Sequence, residues 1–151
     1  MNRFADKLSF FAITLWVGGL WAIGYLAAPV LFSSLGDKML AGMLAGKMFT
    51  WIAYVGVGCG VYLLIYRLAV FGGGALKQGV FWAVGMMLLL TVAIHFGIQP
   101  IMEGLKEQAL PKAVMESLFS DRFARWHGIS SIGYLIESLL GLVLVLAPRR
   151  G

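Results

Sequence analysis

The sequence predicts an all-α integral membrane protein: a four-transmembrane-helix bundle with long, partly helical links after the first and third helices. Three observations carry that expectation. The chain of 151 residues is 60% hydrophobic, with a mean hydropathy of +0.87. Only 13% of it is charged, about half the ~25% usual in a soluble domain. Four apolar stretches, 8–32, 48–68, 80–98 and 129–147, each approach or exceed the roughly 20 residues an α-helix needs to cross a bilayer. The short alternating segments of a membrane barrel are absent, so helices must satisfy the backbone. Residues 1–151 read as a single domain, with helices about 8–32, 38–70, 79–102 and 121–147.

The first helix follows Arg3 and Lys7, as a signal peptide would. Its uncharged run continues to Phe32, and Pro29 stands where small residues would mark a cleavage site, so it reads as a retained transmembrane helix. Gly18 with Ala22 and Gly24 with Ala28 are small-residue pairs, and Gly56 with Gly60 is a GxxxG on the second helix. Such pairs let two helix backbones approach, which points to packing of helix 1 on helix 2; a homo-oligomer is the other use of the same surface. Asp37 can cap a helix that starts at Lys38 and runs straight into helix 2. Helices 2 and 3 form a tight hairpin through the flexible Gly72-Gly73-Gly74.

Beyond helix 3, Pro111 is expected to split the link into two short helices. Val114, Leu118, Phe119, Phe123 and Trp126 fall near one side of the later one, the pattern of a segment that lies in the interface or caps the bundle. A weak internal repeat relates Ala28-Pro29-Val30-Leu31 at the end of helix 1 to Gln99-Pro100-Ile101-Met102 at the end of helix 3. Two hairpins in the same orientation would be related by an axis along the membrane normal.

Helix 4 carries the most informative residue. Glu137 lies in the middle of an apolar run, where a charge costs at least ~2.5 kcal/mol on insertion scales and marks a functional site by default. No lysine or arginine stands at its depth in any run. The carboxyl is therefore either protonated or neutralised by a cation or ligand. Tyr54, Cys59 and Thr14 are its candidate partners by depth. Helical spacing sets Ser130, Gly133, Tyr134, Glu137 and Gly141 on one side of helix 4, with His127, Ser131 and Ser138 alongside, and sets Thr91, His95 and Gln99 along helix 3. These polar stripes face the bundle. The bland use of their hydroxyls is to knit helices together, at an average of ~0.6 kcal/mol per bond.

His95 and His127 are the two histidines of the chain. They sit near the same membrane face, about 8 Å apart in depth at 1.5 Å rise per residue. A shared pocket there could ligate a metal or haem, or relay protons toward Glu137; separate bonds to a carbonyl or a lipid phosphate are the plainer alternative. Cys59 stands alone, which excludes a disulfide framework or a paired-thiolate site within one chain. The eight methionines form no cluster and read as space fillers.

The net charge of +5 does not point to nucleic acid, because basic residues flank apolar runs and no nucleic-acid motif appears. Arg3, Lys7, Arg67, Lys77, Arg149 and Arg150 lie on one side, and Lys38, Lys47, Lys106, Lys112, Arg122 and Arg125 on the other. Their greater density on the first side places both termini in the cytoplasm and the protein in the cell (inner) membrane. Trp16, Trp21, Trp51, Trp82 and Trp126 include several near run ends, as interfacial belts require.

Leu15-Trp16-Val17-Gly18-Gly19, Ala28-Pro29-Val30-Leu31-Phe32 and Phe123 with Trp126-His127-Gly128-Ile129-Ser130 together resemble the transmembrane protein 205-like family, the domain of unknown function 4149. More distantly they resemble the membrane domain of copper-resistance protein D. The resemblance implies a four-helix membrane protein without established chemistry, linked in some members to metal or drug tolerance, and it supplies no catalytic residue. Helix 1 here holds no histidine, a departure from the copper-handling relatives.

Three functions are consistent with these features. The first is a bundle that binds or translocates a cation, metal or small amphiphile at a site of Glu137, Tyr134, Ser130, Ser131 and Thr91. The second is a haem-binding or membrane redox protein using His95 and His127, with haem or a transition metal as cofactor. The third is a structural or accessory membrane subunit. No nucleophile triad, phosphate loop or zinc motif is present, so binding is favoured over catalysis.

Overall fold

A computed structural model describes residues 3–108 and 116–147. The remaining positions, among them Pro111, Lys112, Val114, Arg149 and Arg150, lie outside the described residues. Helix α1 comprises Arg3–Trp21, a π-helical turn Ala22–Ala27 and Ala28–Ser34. Helix α2 is Lys38–Phe71, followed by a 3-10 turn Gly72–Lys77. Helix α3 comprises Gly79–Val92, a second π turn Ala93–Ile98 and Gln99–Gln108, and α4 is Glu116–Leu146.

These four helices contain spans Arg3–Ser34, Leu40–Lys77, Gly79–Leu105 and Ala124–Leu146 that are long and apolar enough to cross a membrane. Their outward faces carry large apolar side chains such as Leu26, Ile65, Leu89 and Ile132. Water would penalise so much exposed apolar surface, and hydrocarbon would not.

The connections follow from local chemistry. Leu35 is extended and ends α1, and the Leu40 backbone N–H donates to Oδ1 of Asp37 at 3.2 Å, which caps α2. The α2–α3 hairpin turns at Gly72, whose φ of +52° lies in the left-handed region that glycine enters at little cost. Arg67 Nη1 donates to Gln78 Oε1 at 2.5 Å, and Trp82 Nε1 donates to the Leu76 carbonyl at 2.9 Å. The start of α1 is tied to the end of α2: Tyr62 donates to the Ala5 carbonyl, and Tyr66 to the Asp6 carboxylate.

The split expected at Pro111 lies outside the described residues, but the later of the two expected short helices is not a separate element. Gln99–Gln108 continues α3, and Glu116–Leu146 is one helix, so Phe123 and Trp126 belong to the first turns of α4 rather than to a separate capping segment. No proline interrupts 116–146, and its glycines alone do not break the helix.

The internal repeat has a backbone counterpart. The π turns begin at Ala22 and Ala93, and the prolines are Pro29 and Pro100, so both pairs are separated by 71 residues (93 − 22 and 100 − 29). In each repeat the residue before proline donates five residues back: Ala28 to the Ile23 carbonyl and Gln99 to the Ile94 carbonyl. Proline has no N–H to give, and one wider turn ahead of it lets the helix continue.

The bundle is packed shut toward its termini. Ala12, Trp16, Val17, Leu63, Ala83, Val84, Met87 and Leu144 form one buried cluster. Trp16 is its largest member at 1% exposure, whereas Trp51 and Trp82 are well exposed. Gly56 and Gly60 face the Trp16 indole: a Cβ on Gly56 would lie 2.4 Å from Nε1, and one on Gly60 would lie 3.0 Å from the far edge of the ring. Gly18, expected at the helix contact, has nothing within 4 Å, and its neighbour Gly19 faces Ile52 instead. Adjacent helical residues point about 100° apart, so a double glycine does not reveal in sequence which member faces the partner.

These placements separate two chemically identical substitutions. Gly56→Ala pushes a methyl into a fully enclosed ring and is expected to cost about 1–3 kcal/mol. Gly18→Ala meets open space and should be neutral or gain up to ~1 kcal/mol from helix propensity. Unfolding of both variants by sodium dodecyl sulfate in mixed micelles measures the difference. Equal stability of the two would refute the assigned packing face.

Candidate functional site

Toward the other end the helices stand apart around a cavity of about 980 Å3. Trp16 and Thr91 with Glu137 line its deep end, while Phe32, Gly42, Leu105 and His127 line its far end. The distance between Glu137 and His127 along α4 is about 15 Å at 1.5 Å per residue. Between them the walls are mostly Ala, Gly, Ile, Leu and aromatic side chains, with Tyr25, His95, Gln99, Ser130, Ser131 and Tyr134 as the other polar groups.

Both π turns border this space, through Gly24 and Tyr25 on α1 and through Ile94 and His95 on α3. A wider turn shifts the face of the helix beyond it, and π bulges recur at functional sites for that reason.

Glu137 is 3% exposed. None of Tyr54, Cys59 and Thr14 is its partner. Thr14 donates to the Phe10 carbonyl, Tyr54 is exposed with its ring against Trp51 and His95, and Cys59 packs on the buried cluster. The partner is Thr91, whose Oγ1 lies 2.5 Å from Glu137 Oε1 and 2.9 Å from the Met87 carbonyl. The side chain of Trp16 lies next to the carboxyl. A threonine hydroxyl has one proton, so Thr91 cannot donate to both neighbours. If it donates to Met87, Glu137 must be the acid that donates to Thr91. If Glu137 is ionised, Thr91 donates to it, and the Met87 carbonyl keeps the N–H that the helix supplies.

The remaining polar groups of α4 serve different ends. Tyr134 donates to the Leu20 carbonyl, just before the first π turn, and its ring stacks edge-on with Phe49 at 5.3 Å and Tyr25 at 6.3 Å. Only a glycine fits opposite: a Cβ on Gly24 would be 2.3 Å from that ring. Tyr25 donates to Ser138 Oγ at 2.9 Å, and Ser138 in turn donates to the Tyr134 carbonyl. These bonds tie α1 to α4. Ser131 donates to the His127 carbonyl and is exposed, while Ser130 is half-buried.

The structure brings His95 and His127 to the same cavity. His95 is half-buried, with its ring edge-on to Tyr54 at 5.0 Å and Phe96 at 4.7 Å. Among the described residues, no group of three His, Cys, Asp or Glu side chains could hold a metal ion. Sequence reasoning did not assign Phe49, Gly24 and Trp16 to the site. In sequence Gly24 forms a small-residue pair with Ala28, and the tyrosine that needs it lies 110 positions away (134 − 24).

No curated protein and no solved structure matches the chain. One family model does, over residues 11–111, which takes in most of α1 and all of α2 and α3. That is narrower than the nearly full-length resemblance read from motifs, and Trp126-His127-Gly128-Ile129-Ser130 and Glu137 fall outside it. With two thirds of its length matched, the chain belongs to the family described as a domain of unknown function (DUF4149).

Proposed function

We propose that this is a multi-pass protein of the cell (inner) membrane that binds a small amphiphile within the bundle, holding it or passing it between the midplane and one face. The observation that carries the reading is the cavity: about 980 Å3, walled by apolar side chains, with a few polar groups converging at Glu137. That is the composition of small-molecule sites, at the upper end of their usual ~300–1,000 Å3. A bare metal ion fits it less well, because the described residues offer no set of three ligands. The motif likeness to the transmembrane protein 205-like group and to copper-resistance protein D agrees with a role in tolerance of a drug-like compound more readily than of copper.

Filling the space tests the reading. Gly42 lines the cavity, and a Cβ there has Phe32 as its nearest neighbour at 3.8 Å, so Gly42→Leu has room to project inward. In lipid nanodiscs the variant is expected to bind Nile red, a neutral apolar dye, about tenfold more weakly than the unmodified protein, or ~1.4 kcal/mol. Its unfolding midpoint should stay close to that of the unmodified protein. Equal dye binding by both proteins, above that of empty nanodiscs, would place the dye outside the cavity and count against the proposal.

A second reading, haem ligation by His95 and His127, is favoured by their sharing the cavity. A Soret band that disappears in His95→Ala would establish it, and a purified protein without the band would exclude it.

The orientation part of the proposal has both termini in the cytoplasm, so the cavity faces the opposite side. Single cysteines at Gly73→Cys and Gly36→Cys, each in a Cys59→Ser background, test it: both positions are open, with nothing within 4 Å. An impermeant thiol reagent applied outside intact cells is expected to label position 36 and not 73, and the reverse pattern would overturn the orientation.

A further inference from the structure

We propose that the cavity takes a monovalent lipophilic cation, an amine or quaternary onium, in exchange for a proton on Glu137. This rests on the amphiphile reading above and adds the charge of the ligand. Among the described residues, Glu137 is the one acidic residue that lines the cavity, and no lysine or arginine lines it. At 3% exposure it has neither bulk water nor, among those residues, a basic side chain to balance its charge. A buried carboxyl in that position is neutral with its proton, or ionised beside a cation that arrives with its own apolar bulk.

The surroundings suit both states. Thr91 lies within reach of Glu137 Oε1 at 2.5 Å and of the Met87 carbonyl at 2.9 Å, so turning one hydroxyl changes it from acceptor of the acid proton to donor to the carboxylate. No backbone movement is needed. The cavity walls include Trp16, Phe49 and Tyr134, the last two edge-on at 5.3 Å. Aromatic walls stabilise an onium ion through their π electrons and accept its hydrocarbon substituents equally well.

The exchange balances as written: the acid form of Glu137 and the cation L+ give the carboxylate–L+ pair and one H+, which leaves along the cavity toward its far end. Charge within the bundle is the same before and after, so loading does not leave a net charge in a low-dielectric site. Raising the pH pulls the exchange toward the loaded state. Affinity for the cation should rise by up to about tenfold per pH unit while Glu137 is protonated, and level off once it is ionised. Other titratable groups on the cavity walls are Tyr25 on α1, His95 on α3, and His127 and Tyr134 on α4; α2 contributes none among the described residues.

Tetraphenylphosphonium and the neutral triphenylphosphine oxide are suitable probes, titrated calorimetrically against the protein in nanodiscs in buffers of different ionisation enthalpy. The expected result is binding of the phosphonium with release of about one proton per cation, and binding of the oxide with none. Glu137→Gln should weaken the phosphonium by about tenfold or more, by a larger factor than the oxide, and abolish proton release. That variant retains Tyr25, His95, His127 and Tyr134, so any residual pH dependence in it belongs to them. The proton count on the unmodified protein stands whether or not the variant folds. Equal binding of the two probes without proton release would overturn the exchange and leave the amphiphile reading in place. Binding of neither would overturn both.

Discussion

Trp16→Ala is expected to cost the fold about 3–5 kcal/mol, the range for removing a large aromatic from a packed interior. Trp16 is 1% exposed and bridges the two halves of the molecule: it belongs to the buried cluster and lines the deep end of the cavity. Gly56 and Gly60 admit its ring, and its side chain lies next to the Glu137 carboxyl. The substitution therefore removes packing against two helices, extends the cavity into the core and removes the indole beside a buried carboxyl. Helix association in hydrocarbon depends chiefly on such van der Waals contact, so little else compensates. Unfolding in mixed micelles measures the loss, and a cost below about 1 kcal/mol would show that the bundle closes over the gap. The double variant Trp16→Ala, Gly56→Leu should recover part of the loss, because the new side chain enters the space that the indole leaves. That coupling is a sharper check than either variant alone, since residues in contact deviate from additivity by about 0.5–3 kcal/mol.

Hydropathy and length were enough to indicate four helices, and Asp37 before Lys38 was enough to mark the start of α2. Both are local properties that neighbouring residues express by themselves. The side-chain partners of Glu137 depended on how helices pair. Thr91 is seven residues from the end of its apolar run (98 − 91) and Glu137 eight from the start of its own (137 − 129), and those two run ends share a face. That coincidence of depth was visible in the sequence, yet depth alone also admitted Tyr54, Cys59 and Thr14. Only the rotation of each helix about its axis distinguishes them.

Trp16 illustrates the same limit. A tryptophan in a membrane helix serves an interfacial belt or a core equally well by composition, and Gly56 and Gly60, 40 and 44 positions further on (56 − 16 and 60 − 16), are what assign it to the core. The π turns were also hidden. Pro29 and Pro100 marked the sites, but a proline in sequence is equally consistent with a kink. The wider turn emerges from the backbone donors of Ala28 and Gln99.

Glu137→Lys is expected to reduce the yield of folded protein severely, and its contrast with Glu137→Gln isolates charge as the cause. Glutamine keeps nearly the same length and retains both an acceptor for Thr91 and a donor, so the bundle should assemble with stability within about 1 kcal/mol of the original. Lysine has three donors and no acceptor, and it loses the oxygen that faces the Thr91 hydroxyl. No other acidic side chain lines the cavity among the described residues, so its ammonium has no counter-ion there. Insertion scales set the cost of a lysine at mid-membrane depth at ~2.5–3.5 kcal/mol, a large part of the stability of a small domain. Membrane-fraction yield and the size-exclusion profile in mild detergent check both variants under the same conditions. If the lysine variant matched the glutamine variant in both, the carboxyl would lie in water rather than in a closed bundle, and the site drawn around Thr91 and Trp16 would be wrong.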